Sequence, residues 1–255
     1  MNPSTFGAAP HSSLRSYVLE IKYEFLRLLR TPSFALPTLL FPAFFYVLFG
    51  ILLNRANADA ARYMLATYGV FGIVGVGMFS FGITVAMERG RGFITYKRAL
   101  PMPPGAYLLA KMVMAMIFAS LVSLLLAALA ATLGKVSLAA SQWCLLWLVN
   151  VVGVLPFCAM GLYIGTRSGE QGAPAVVNLL YLPMSLLSGL WLPLSMLPAV
   201  FRTIAPVWPP FHSAQIALKV IGMDAGGSLT LHVLTLLGVT TVFFLLAHRR
   251  LRKLG

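Results

Sequence analysis

The side chains able to make or break bonds are few and lie far apart. The four histidines, His11, His212, His232 and His248, show no His-Glu-x-x-His or other metal-ligand spacing, so a zinc hydrolase is not expected. The six acids are Glu20, Glu24, Asp59, Glu88, Glu170 and Asp224, and all fall at the ends of apolar runs or between them. An intramembrane aspartyl protease or a proton-coupled carrier would hold carboxylates well inside those runs. Cys144 and Cys158 share one apolar run and support neither a disulfide framework nor a zinc site. The Gly134-Lys135 pair is followed by Val136, so no phosphate-binding Walker loop is present. The expectation is a non-catalytic chain that binds no metal or cofactor and takes any driving energy from elsewhere.

One cluster of charge stands apart. MERGRGFITYKRALPMPPG, residues Met87 to Gly105, carries Glu88, Arg89, Arg91, Lys97 and Arg98 between two long apolar runs. After the flexible Gly90 and Gly92, Phe93 to Leu100 can form about two helical turns that Pro101 stops. Phe93, Ile94 and Tyr96 would anchor such a helix on a partner, and Lys97 and Arg98 would meet its charge. A plain basic loop that orients the flanking segments remains the other reading.

The elements that must position this elbow follow from composition. The chain has 255 residues, a mean hydropathy of +0.87 and 59% hydrophobic residues, and only 10% are charged against about 25% in a soluble domain. The net charge of +13 sits in short clusters between apolar runs, without the interleaved aromatic residues of a nucleic-acid surface, so no nucleic-acid partner is expected. The expected fold is an all-α polytopic membrane protein, one domain over residues 1–255. Six transmembrane helices are expected near Ser33–Leu53, Met64–Met87, Tyr107–Leu133, Gln142–Gly165, Ala173–Trp191 and Leu229–Ala247. MNPSTFGAAPHSS has no early apolar stretch, so no cleavable signal peptide is expected.

Before the first span, residues 13–31 read as an amphipathic interfacial helix. Leu14, Val18, Ile21, Phe25 and Leu28 share one face, with Arg15, Lys22, Glu24 and Arg27 turned away from it. Packing on another protein chain is the alternative. Residues 192–228 are apolar but broken at Pro193, Pro198, Pro206, Pro209 and Pro210, which suits a re-entrant segment before the last span. Fourteen Lys and Arg fall on the side that holds both termini and the 88–104 loop, and five on the other, so the first side is expected to be cytoplasmic.

The elbow and its flank, MERGRGFITYKRALPMPPGAYLLAK, resemble the first cytoplasmic loop of ABC-2 type exporter permeases. That pattern runs Glu-Arg-Glu-x-Gly-Thr, then Arg-x-Thr-Pro, then Gly-Lys or Ala-Lys opening the third span. Glu88, Arg89, Gly92, Arg98, Pro101 and Lys111 match it, whereas Gly90 and Leu100 depart from it. LLSGLWLPLSMLP, Leu186 to Pro198, is similar to the family's Phe-x-Ser-Gly-x-x-x-Pro-x-x-x-Leu-Pro. Ile204 to Gln215 looks like its amphipathic element, with Trp208-Pro209-Pro210 where Asn-Pro is usual.

The resemblance implies a permease subunit of an ATP-driven exporter in a bacterial plasma (inner) membrane. It would pair with a second permease, as a homodimer, and carry two copies of a separate ABC ATPase subunit that binds ATP and Mg. It also implies a short cytoplasmic coupling helix, with Glu88, Arg89, Gly92, Phe93, Tyr96, Lys97, Arg98 and Pro101 docking the ATPase beside the interfacial helix (Leu14, Val18, Ile21, Phe25, Arg27). Ser188, Gly189, Pro193 and Pro198 would form an outer gate. Asn150, Asn178, Phe79 and Tyr181 are candidates for the path, with interhelical hydrogen bonding the other reading of the asparagines. Apolar residues along the second and fifth spans suit a hydrophobic drug-like or lipid-like cargo, with polysaccharide or lipid-linked glycan as the alternative. An ion-coupled carrier or a membrane scaffold is the competing class.

Overall fold

The computed structural model describes residues 13–54, 57–94, 96 and 105–253. Among them the secondary structure is helical. The elements are α1 (Ser13–Leu29), α2 (Pro32–Phe45), α3 (Ala58–Met78), α4 (Thr84–Gly90), α5 (Ala106–Thr132), α6 (Ala140–Gly153), α7 (Leu155–Arg167), α8 (Ala173–Leu187), α9 (Ala199–Ile204), α10 (Pro209–Val220) and α11 (Leu229–Lys253). A π-helical stretch, Tyr46–Leu52, extends α2, and another, Phe79–Ile83, joins α3 to α4.

Among the described residues, four helical stretches are long and apolar enough to cross a membrane: Ala58–Gly90, Ala106–Thr132, Ala140–Arg167 and Leu229–Arg252. Leu36–Leu52 and Ala173–Leu187 are shorter apolar helices. All six coincide with expected segments, and the largest boundary shift has a local cause. The second begins at Ala58, ahead of the expected Met64, because the Asn57 side chain accepts from the Ala60 N–H at 3.1 Å and caps the helix.

Prolines set the other ends. Pro32, Pro156, Pro174 and the Pro209-Pro210 pair stand in the first turns of α2, α7, α8 and α10, where a missing N–H removes no helical bond. Pro156 also ends α6, since the Val152 carbonyl gets no donor from position 156, and the chain turns at Val154. Pro37 and Pro42 lie inside α2 and Pro183 inside α8.

Helix α3 is the core. It is apolar all round and buried from Met64 to Met78, as a helix enclosed by others must be. α2, α5, α7, α8 and α10 surround it, and α11 packs on α7 and α10. Glycines let α7 approach closely. A Cβ built on Gly161 would lie 2.8 Å from the Gly77 carbonyl oxygen, and one on Gly165 would lie 2.8 Å from that of Phe81. The Gly161-x-x-x-Gly165 spacing is therefore a packing face. After α8 the chain forms a 3-10 turn (Leu194–Met196), α9, a second 3-10 turn (Ala205–Val207) and α10, in short pieces divided at the expected prolines.

The face predicted for α1 needs correction. α1 packs against α5 and α2 with Leu28 buried and Ile21 and Phe25 half-buried, but Val18 is 56% exposed. Glu24, expected to point away, is buried. The packed stripe includes Glu24 because it stands one turn before Leu28. The side chain of Leu14 lies outside the described residues.

A cavity closed by an ionic cluster

Three helix ends converge on four charges. Lys111 of α5 is only 3% exposed, and its ammonium donates to Glu24 Oε1 at 2.7 Å, Glu88 Oε1 at 3.1 Å and Thr84 Oγ1 at 3.1 Å. All three of its protons thus have acceptors. Arg27 of α1 donates to Glu24 Oε1 at 2.7 Å and pairs with Glu88, whose second oxygen accepts from the Tyr107 hydroxyl. Burial alone would pull the Arg27 guanidinium down, but Glu24 and Glu88 beside it hold its pKa above the ordinary arginine value. Two carboxylates and two cations balance: Glu24, Glu88 and Lys111 are buried, and Arg27, 43% exposed, joins them from the surface. The cluster ties α1 to α4 and α5.

The next residues tie the same end to α7 and α8. Arg89 donates to the Thr166 carbonyl and, at 2.6 Å, to that of Ser168, where α7 runs out of helical donors. Arg91 pairs with Glu170 at 2.7 Å. Gly92 then takes φ +74°, a left-handed turn, and a helical turn follows in which the Tyr96 N–H bonds the Gly92 carbonyl at 3.0 Å. Phe93 and Tyr96 are 50% and 64% exposed. Lys97, Arg98 and Pro101 lie outside the described residues.

The expected docking set therefore divides. Glu88 and Arg89 are spent on contacts within the chain, while Tyr96 stands out from the surface and Phe93 is half exposed at the edge of the cavity beside the cluster. Sequence reasoning placed Glu24 on the wrong face of its helix and read Lys111 as part of a motif. The available signal was Lys111 itself, a cation more than one turn inside an apolar run with an aromatic one turn before it.

Above the cluster lies a cavity of about 1000 Å³ between α1, α2, α3 and α8. Glu20, Glu24, Arg27, Glu88 and Arg91 line its charged end, and Phe41, Gly72, Gly75, Phe79, Tyr181 and Leu182 line its apolar body. Tyr181 donates to the Phe71 carbonyl at 3.2 Å, stacks on Phe71 with centroids 5.0 Å apart and meets Phe79 edge-on at 5.3 Å. Phe79 opens the π-helical stretch, a local widening often found at functional sites. Asn178 also lines this cavity, with its amide nitrogen donating to the Pro174 carbonyl at 3.0 Å.

Asn150 does not line it. It is buried between α6, α3 and α5, donates to Ser123 Oγ at 3.1 Å, and packs where a Cβ on Gly69 would come within 2.8 Å of its Nδ2. Of the four path candidates, Asn178, Phe79 and Tyr181 come together and Asn150 acts as an interhelical tie. At the other end of α8, Ser188 is buried and Gly189 takes φ +74° with Leu194 packed against it. Pro193 and Pro198 each precede a short helix.

Comparison with known proteins gives this arrangement its class. The family model of the ABC-2 type transporter matches residues 16–221. The Bacillus subtilis (strain 168) protein named "Putative transport permease YvfS" is 27% identical over 234 residues, covering 90% of this chain and 94% of that protein. The chain belongs to the ABC-2 type transporter family, the membrane-spanning permease subunits of ABC transporters.

Proposed function

We propose that this chain moves a hydrophobic, drug-like or lipid-like compound out of the cytoplasm or the inner leaflet, driven by a separate ATPase. The observation that carries the reading is the cavity of about 1000 Å³, apolar and aromatic along its body and charged at one end. Its volume lies at the upper end of the range for small-molecule sites. A polysaccharide would need rows of hydrogen-bonding groups, whereas Phe41, Phe79, Tyr181 and Leu182 offer an apolar wall.

Two copies of the chain, each holding one ATPase subunit with its ATP and Mg, sit in the inner membrane of a bacterium with the termini and the elbow in the cytoplasm. Phe93 and Tyr96 seat in the ATPase, joined by Lys97, Arg98 and Pro101. Movement there passes through Gly92 to Arg89 and Glu88, and so to α7, α1 and α5 together. Ser188, Gly189, Pro193 and Pro198 close the outer end.

The test is co-purification from native membranes followed by ATPase assay in reconstituted lipid. Phe93→Ala with Tyr96→Ala should abolish stimulation of a co-purified ATPase by the cargo-free permease, a readout independent of the place Phe93 also has at the cavity's edge, while leaving the melting temperature unchanged, because both side chains are largely exposed. Full stimulation in the double variant would refute the docking assignment. Absence of any ATP-binding partner after cross-linking would refute ATP-driven export.

Topology has its own check. A Phe93→Cys thiol, with Cys144 replaced by Ser, should react with a membrane-impermeant maleimide only when the reagent reaches the cytoplasmic face. Labelling from outside intact cells would reverse the orientation.

A further inference from the structure

α10 and α11 are joined by two histidines placed ring to ring. His212 Nδ1 and His232 Nδ1 are 2.8 Å apart, and both residues are buried. The second nitrogen of His212 lies 2.9 Å from the Pro206 carbonyl oxygen. A carbonyl only accepts, so His212 Nε2 carries a proton. The Nδ1 pair then has room for one proton between the rings and no more. Among the described residues His232 Nε2 has no partner at full hydrogen-bond geometry; it faces Gly227, with the Gly226 backbone beside the ring. Phe211 lies edge-on to both rings, at 5.4 and 6.1 Å.

Counting protons gives the behaviour. The neutral pair holds one proton on His212 Nε2 and one shared between the Nδ1 atoms. One added proton fits on His232 Nε2. A second would put a proton on each Nδ1, facing one another across 2.8 Å, and the contact cannot survive it.

The charged groups around the pair are few. Lys219 of α10 donates to Asp224 at 2.8 Å and to the Gly227 carbonyl at 3.0 Å. The hydrogen bond from Lys219 holds the Asp224 carboxyl below the ordinary aspartate range, so this acid stays ionised while histidines titrate. From α3, Arg62 donates to the Ile221 carbonyl at 2.6 Å, and from α6 the uncharged Gln142 donates to that of Val220 at 3.1 Å. These contacts hold the far end of α10.

We propose that His212 and His232 form a proton-operated clasp, closed on α11 while the pair carries at most one added proton and released when both rings are charged. The released form binds more protons than the closed form, so the closed form loses stability as pH falls. The proposal requires neither the cargo nor the ATPase.

Hydrogen exchange on the full chain in lipid nanodiscs tests it, with rates corrected for the intrinsic effect of pH. On going from about pH 7.5 to about pH 5, amides of residues 211–220 in α10 should exchange about tenfold faster in the wild type, while α3 stays protected. In His232→Gln the amide can flip between donating to and accepting from His212, so protection should persist at both pH values. If His232→Gln is unprotected already at the higher pH, His212→Gln takes its place. Equal protection of the wild type at both pH values would overturn the clasp, and so would an undiminished acid response in the glutamine variant.

Discussion

Lys111→Met should be among the most damaging single substitutions in the chain. Methionine keeps the length and apolar stem of lysine but leaves the Glu24 and Glu88 carboxylates with Arg27 as their one remaining cation. Removing one partner of a buried ionic group costs about 3–5 kcal/mol, because the unmatched charge stays buried. Thr84 Oγ1 also loses its donor. The expected result is a large fall in the melting temperature in mild detergent and in the yield of monodisperse protein. Glu88→Gln added to Lys111→Met restores the balance of one carboxylate to one cation, so the double variant should melt higher than Lys111→Met alone. A Lys111→Met protein that melts with the wild type would show that the cluster does not hold α1 to α5.

How much of this was legible beforehand differs by feature, for physical reasons. An apolar run is a local property, so the four helices long enough to cross a bilayer and the two shorter apolar ones all fall on expected segments, and the missed start at Ala58 came from one capping asparagine. Glu24, Glu88 and Lys111 are separated by 64 and 23 positions, and nothing local says that their helix ends meet. Each taken alone reads as a charge parked at a membrane boundary. Their neutralisation is visible only once α1 lies across α5.

α1 shows the same limit on a smaller scale. Its apolar periodicity predicts one buried face, but ion pairing pulls Glu24 to the inside and leaves Val18 out. Asn150 and Asn178 make the point again. Two asparagines in two apolar runs look alike in sequence, yet one is tied to Ser123 inside the bundle and the other lines the cavity. The glycine spacing of α7 carried more information. Two glycines four apart on a helix lie on one face, and the structure puts another helix against that face.

That contact supports the second large expected effect. Gly161→Leu should separate α7 from α3, because the nearest atoms to a built Cβ are backbone: the Gly77 oxygen at 2.8 Å, the Gly82 nitrogen at 3.1 Å and Met78 Cα at 3.1 Å. No side chain there can rotate away to make room. Whole helices must move, and overpacking of this kind costs about 1–3 kcal/mol or more. The displacement has further reach, since α7 also carries the Thr166 and Ser168 carbonyls that hold Arg89, and α11 packs on its other side. Gly172 provides the control. It lies in the link before α8, with nothing within 4 Å of its Cβ position, and its φ of −85° suits any residue. Gly172→Ala should therefore leave the melting temperature unchanged, while Gly161→Leu lowers it and increases proteolysis after Arg167 and Arg89. Equal melting of the two variants would mean that α3 and α7 are not held at the separation described, and the route from the elbow to the helices around the cavity would have to run through α1 and α5 alone.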